Sequence, residues 1–205
     1  MSVAARLAAL LLVPVVVADD RSCAAPLADA LVAGGLPVAE VTFRTAAAAE
    51  VIELMARRGD VLVGAGTVLS PQQVDRAVVE RALERGVFPL PGVATASEIQ
   101  AAIELGLDTV KFFPAETSGG VAAITALAAP FAGVSFVPTG GVGPANLADY
   151  LAVPAVAAVG GSWMVPRHVV AAHDVARLTA LVATAVALAA AARPAGSRKA
   201  VGGAR

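Results

Sequence analysis

Short runs of β-branched residues alternate along this chain with Ala/Leu stretches of helical spacing. The runs predict strands at Val13–Ala18, Val38–Phe43, Val61–Thr67, Val87–Leu90, Thr109–Phe113, Ser135–Thr139 and Ala155–Val159. Helices are expected at Ser22–Ala33, Ala46–Arg58, Pro71–Arg85 and Ala96–Leu105. Each ends at a glycine: Gly34-Gly35, Gly59, Gly86 and Gly106. Ser22 and Ser70 stand where helix caps are wanted. The strands are nearly continuous apolar runs, which is the pattern of a parallel sheet covered by helices. A unit of about 20 to 26 residues repeats along one chain, which suits a (β/α) barrel of the TIM type. A doubly wound open sheet is the alternative. No strand runs into G-x-G-x-x-G, and Gly64-Ala-Gly66 is only a fragment of it.

The longest apolar stretch, Leu7 to Ala18, is too short to span a bilayer and carries Pro14 near its middle. With Arg6 ahead of it, it also has the look of a signal peptide. Similar runs recur downstream, so it reads as a short helix leading into a first buried strand. Leu178 to Ala192 is Ala-rich and broken by two Thr, and reads as a buried or oligomer-facing helix. No membrane is therefore expected, although mean hydropathy is high at +0.76. A single domain over 1–192 is expected, with a disordered tail over 193–205, where Gly, Pro and basic residues gather.

Composition narrows the function. A net charge of -1 leaves no basic surplus for nucleic acid. With Cys23 the sole cysteine, and His168 and His173 without carboxylate or Cys at ligand spacing, no metal site is expected. Cys23 reads as a small core residue and Trp163 as packing beside a strand-end loop.

Barrels of this class carry their chemistry at the C-terminal ends of the strands. The polar residues there are Glu40 through Arg44, Thr67, Lys111 through Glu116, Thr139-Gly140-Gly141 and Gly160-Gly161-Ser162. Lys111 stands between Val110 and Phe112 in an apolar strand, and the only other lysine is Lys199 in the tail. It is either a lysine that reaches solvent or a carboxylate, or an amine tuned to attack a carbonyl and form a Schiff base. Glu40 either pairs with Arg44 on one strand face or acts as general acid/base in the cavity of Lys111. Arg44 can grip a carboxylate with two parallel hydrogen bonds. Two glycine pairs at successive strand ends, the second followed by Ser162, suit an anion cradle, though tight turns explain either pair equally well.

Together, Glu40-Val-Thr-Phe-Arg-Thr45, Gly64-Ala-Gly-Thr-Val-Leu-Ser-Pro-Gln-Gln73, Pro91-Gly-Val-Ala-Thr95, Lys111-Phe-Phe-Pro-Ala-Glu116, Pro138-Thr-Gly-Gly141 and Gly160-Gly-Ser-Trp163 resemble the 2-keto-3-deoxy-6-phosphogluconate (KDPG) aldolase family, running in the family's order from about Val13 to Pro166. The resemblance implies a cytoplasmic class I aldolase that needs no cofactor or metal and is usually a homotrimer. It would cleave a phosphorylated keto-sugar acid to pyruvate and glyceraldehyde 3-phosphate. Lys111 would form the Schiff base and Glu40 would be the acid/base. Arg44 and Thr67 would bind the pyruvate carboxylate. Thr139, Gly140, Gly141, Gly161 and Ser162 would face the substrate at its phosphate end, and Phe113 would wall the pocket. The alternatives are an aldolase for the galactonate epimer or for 4-hydroxy-2-oxoglutarate, or a non-catalytic phosphosugar-binding relic. A metal-dependent aldolase is disfavoured by the lack of a His/carboxylate cluster.

The chain departs from the family at one place. Val74 to Arg85 runs straight on to Val87 and Pro91-Gly92, where the family has helix, strand and helix. About sixteen residues, including the family's fourth strand, are missing by that resemblance. A barrel of seven strands, closed or open, or a poorly folded one is expected, because the neighbours of a lost strand are left with unpaired ladder groups.

Overall fold

A computed structural model of the chain describes residues 1–66 and 88–193. Thr67, the expected helix Pro71–Arg85, Val87 and the expected tail beyond Arg193 lie outside the described residues. The contacts gather the described residues into two compact units, one built from 1–11, 88–160 and 192–193 and the other from 12–66 and 161–191. Both are parallel sheet with helices in the connections, so the class is α/β.

In the second unit, β1 (Leu12–Val16), β2 (Val38–Thr42) and β3 (Leu62–Gly66) lie in the order β3-β2-β1. Val15 sits opposite Glu40, and Glu40 opposite Gly64. Strands β1 and β2 are almost wholly buried, as their unbroken apolar runs require. Helix α1 (Val3–Leu10) precedes β1. Helices α2 (Ala24–Ala33) and α3 (Ala48–Arg58) follow β1 and β2. A short 3-10 turn, Arg21–Cys23, leads into α2. The expected Ser22 cap is corrected: Asp20 accepts from the Ser22 N–H, and the Ser22 hydroxyl meets His173 Nε2 at 3.2 Å instead. Cys23 is buried, as expected.

The first unit holds β4 (Gly92–Val93), β5 (Thr109–Phe112) and β6 (Ser135–Pro138), in the order β4-β5-β6. The strand expected at Val87–Leu90 lies later, at Gly92–Val93, where Gly92 and Val93 pair with Lys111 and Phe112. Pro89 and Pro91 have no N–H to give to a ladder, so pairing starts only after them. Helix α4 (Ala96–Glu104) begins with a reciprocal cap between Thr95 and Glu98. It is followed by α5 (Gly120–Ala128) and α6 (Leu147–Leu151).

The last expected strand is also displaced. Val156 makes one isolated bridge to Phe136, and the regular strand β7 is Val159–Gly161. Among the described residues there are thus seven strands. After β7 come α7 (Arg167–Ala171) and α8 (Val175–Ala192). The length and hydropathy of α8 would suit a bilayer crossing. One face of it is core, however: Leu178, Val182, Ala185 and Ala189 recur at helical spacing and are fully buried.

Candidate active site

Lys111 stands on β5, the middle strand of its sheet. Its neighbours Val110 and Phe112 are both 0% exposed, while Lys111 itself is half-buried on the opposite face. Its backbone N–H donates to Pro91 at 2.8 Å. The ammonium lies over the Phe113 ring, 5.6 Å from its centre. That attraction is worth about 0.5–1 kcal/mol at a partly exposed site. Phe113 is 46% exposed, so its ring forms an apolar wall open on one side. The ring also approaches Gly140: a Cβ there would stand 3.2 Å from it. Strand β6 brings Gly140 to this place, because Lys111 is opposite Val137 and Phe112 opposite Pro138.

The turn after β6 is tied down through its carbonyls. Thr139 C=O accepts from Ala115 N–H at 2.8 Å, Gly140 C=O from Glu116 N–H at 3.1 Å, and Gly141 C=O from Asn146 Nδ2 at 3.2 Å. In a trans peptide the N–H points opposite to the C=O. The N–H groups of Gly140, Gly141 and Val142 therefore point away from the partners of those carbonyls, and backbone N–H groups in a glycine turn are the kind of donor that an anion uses. Gly140 and Gly141 reach it with φ of 98° and 83°, a region that glycine enters without penalty. Lys111, Phe113, Thr139, Gly140 and Gly141 thus come together in one unit. Gly160 bridges back to Thr139 in the same unit.

Glu40, Arg44, Gly161 and Ser162 belong to the other unit. The side chain of Glu40 leans toward the end of β2 and covers Gly66. Strand β2 stops at Thr42, so Arg44 lies past its end and is exposed rather than sharing a regular strand face with Glu40. The following residue fixes the loop: Thr45 Oγ1 donates to Ala18 C=O at 2.6 Å, and Thr42 Oγ1 to Val16 C=O at 2.8 Å. Ser162 is exposed. Among the described residues the buried indole N–H of Trp163, one position on, has no hydrogen-bond partner. Further along, Arg167 grips Asp19 with two hydrogen bonds, of 2.8 and 2.5 Å. This bond holds the Asp19 carboxyl below the usual carboxylate range. Hydrogen bonds from Ser22 do the same for Asp20.

Sequence reasoning did not single out Asp19, Arg167, Asn146 or Tyr150. All four are ordinary polar residues in loops or helices, and only the folded chain shows that they hold the strand-end loops in place.

A family model described as KDPG and KHG aldolase matches residues 3–82 and 76–181. The chain belongs to the KDPG and KHG aldolase family. Its relatives include the 2-dehydro-3-deoxy-phosphogluconate aldolase of Treponema pallidum, 47% identical over 186 positions that cover 82% of this chain and 89% of the relative. The KHG/KDPG aldolase of Escherichia coli K12 is 44% identical, over 85% of this chain and 90% of the relative. Among solved structures, the KDPG aldolase from Legionella pneumophila, with pyruvate captured as a covalent carbinolamine intermediate, superposes with a TM-score of 0.83 at 35% identity. That likeness covers 89% of this chain and 98% of the other. The fold is the TIM-type α/β fold of this family.

The comparisons also bear on the shortened segment. The two stretches matched by the family model overlap at 76–82, inside the run from Val74 to Val87 where the resemblance places the missing residues. The Treponema alignment has 186 positions, whereas 82% of the 205 residues here is about 168, so about 18 positions of that relative have no counterpart.

Proposed function

We propose that the protein cleaves 2-keto-3-deoxy-6-phosphogluconate to pyruvate and glyceraldehyde 3-phosphate, with Lys111 as its Schiff-base residue. The observation that carries this reading is the place of Lys111. It is the only lysine outside the tail, half-buried between two fully buried neighbours on a central strand. Its amine stands over an aromatic wall that itself touches the Gly140 turn.

In this mechanism the Lys111 amine adds to the C2 ketone and water leaves, giving an iminium. The iminium draws the electron pair of the breaking C3–C4 bond. Glu40, directly or through a water, takes the proton of the C4 hydroxyl, and glyceraldehyde 3-phosphate departs. The resulting enamine is protonated at C3, and water returns to release pyruvate and the free amine. Covalent attachment divides one difficult step into easier ones. Arg44 and Thr67 hold the carboxylate. Gly140, Gly141, Gly161 and Ser162, with Thr139 beside them, receive the phosphate. Binding at both ends of the substrate holds the reacting carbons in register.

A homotrimer in the cytoplasm is part of this proposal. Light scattering of the purified protein tests the assembly.

A second reading is favoured by the Escherichia coli relative, whose name joins KHG to KDPG: the same amine would also accept the unphosphorylated 4-hydroxy-2-oxoglutarate. A third, a phosphosugar-binding relic, is favoured by the roughly 18 unmatched positions. A coupled assay for pyruvate release decides among these readings. The proposal expects turnover of KDPG with a higher kcat/KM than for 4-hydroxy-2-oxoglutarate. Binding of KDPG without release of pyruvate would favour the relic.

A further inference from the structure

Glu116 closes the sequence Lys111-Phe-Phe-Pro-Ala-Glu116, yet the mechanism gives it no task. Its carboxylate accepts a hydrogen bond from the hydroxyl of Tyr150. Tyr150 is the chain's only tyrosine and is 0% exposed. The pair lies at the first turn of α5: a Cβ on Gly120 would stand 3.3 Å from the Tyr150 hydroxyl and 3.5 Å from Glu116 Oε1. A carboxylate is favoured there by the N-terminal end of the helix. The stem of Glu116 lies flat against Gly141, where a Cβ would come within 2.7 Å of the Glu116 Cβ. The Glu116 N–H holds the Gly140 carbonyl at 3.1 Å. One residue thus touches both glycines of the turn, and one buried phenol fixes that residue.

We propose that Glu116 and Tyr150 form a positioning strut that holds the Gly140–Gly141 turn in place to receive the substrate's phosphate. The strut rests on the aldolase reading of the site. The Glu116 backbone N–H meets the turn from its carbonyl side, and the bond from Tyr150 holds the carboxylate. Asn146 braces the far end of the same turn, accepting from Gly143 N–H at 2.8 Å while it donates to Gly141. Without the Tyr150 hydroxyl, Glu116 is free to swing, and the turn loses the surface that sets its angle. Misplacement of a binding group by a fraction of an ångström weakens binding without touching the reacting amine.

The test uses Tyr150→Phe and Glu116→Gln in the full chain. The strut predicts that KM for the phosphorylated substrate rises about tenfold with kcat within about twofold. The inhibition constant of inorganic phosphate rises in parallel. The pyruvate concentration that half-saturates borohydride trapping stays put, because pyruvate carries no phosphate. Unchanged KM and phosphate inhibition in folded variants would overturn the strut. So would an equal rise in the pyruvate requirement, which marks general loosening. If Tyr150→Phe does not fold, Glu116→Gln, which keeps volume and shape, decides alone. If the wild-type protein traps no pyruvate, the aldolase reading falls. Calorimetric titration with inorganic phosphate then still decides the strut: about tenfold weaker binding in the variants supports it, and equal binding overturns it.

Discussion

The carboxyl group of Glu40 lies over Gly66, in the space that a Cβ at that position would occupy. Glu40 is on β2 and Gly66 at the end of β3, with Thr42 and Gly66 as register partners. Glycine at the strand end therefore makes room for the acid. Gly66→Ala would force the carboxyl aside while leaving Lys111 untouched. The expected result is a fall in kcat of about 10²-fold, the lower part of the range for losing a general acid/base. Trapping of pyruvate with borohydride should persist. A kcat within twofold of the wild type would show that this placement of Glu40 is not needed.

A side chain at Gly140 meets two obstacles, a φ of 98° and the Phe113 ring 3.2 Å away. Gly140→Ala is expected to lose about 1–3 kcal/mol of stability from backbone strain. Urea unfolding measures it. The surviving folded enzyme should need more phosphorylated substrate for half-maximal rate. A variant of unchanged midpoint and unchanged KM would contradict the turn's role.

Asp19 and Arg167 join the loop after β1 to the segment after β7. The Arg167 hydrogen bonds depress the Asp19 pKa in the folded state. A depressed carboxylate contributes stability above its unfolded value, about 3.9, and loses it as pH falls through the lower folded value. Arg167→Ala should therefore lower Tm at neutral pH. The gap from wild type should narrow as pH drops below about 4. Both groups are largely exposed, so the gap is small and shrinks with added salt. A gap that is constant with pH would assign the effect to packing.

Burial, reinforced by the bond to Glu116, pushes the Tyr150 phenol well above its ordinary range. A raised phenol favours the fold fully below the unfolded value of about 10, and this contribution disappears as pH climbs through the folded value. Because the chain has one tyrosine, phenolate absorbance reports it alone. Absorbance should rise together with loss of circular dichroism, not before it. A reversible titration near pH 10 with the fold intact would contradict the buried hydrogen bond.

Much of the fold could be read from the chain because one signal repeated. Runs such as Val38 to Thr42 are buried on both faces, and Gly59 and Gly106 end helices with φ of 75° and 78°. The misplaced strands have local causes. Pro89 and Pro91 delay pairing until Gly92, and the run from Ala155 makes a single bridge to Phe136, with regular strand beginning only at Val159. The strand-end residues were visible as polar groups in apolar surroundings, Lys111 above all. Their bracing was not. The bonds Arg167 to Asp19 and Tyr150 to Glu116 span 148 and 34 residues of sequence, and no periodicity encodes such pairs. Pairing of Glu40 with Arg44 on one strand face was one of two readings and required a regular strand, but β2 ends two residues before Arg44.

The account depends on the amine of Lys111 forming a covalent bond with the ketone. Purified protein is incubated with pyruvate, reduced with sodium borohydride, digested and analysed by mass spectrometry. The account predicts one reduced pyruvyl adduct per chain, on the peptide containing Lys111, and none in a folded Lys111→Met variant that has also lost KDPG cleavage. Cleavage that survives in Lys111→Met, or a well-folded wild-type chain that cleaves KDPG without any adduct at Lys111, would contradict it.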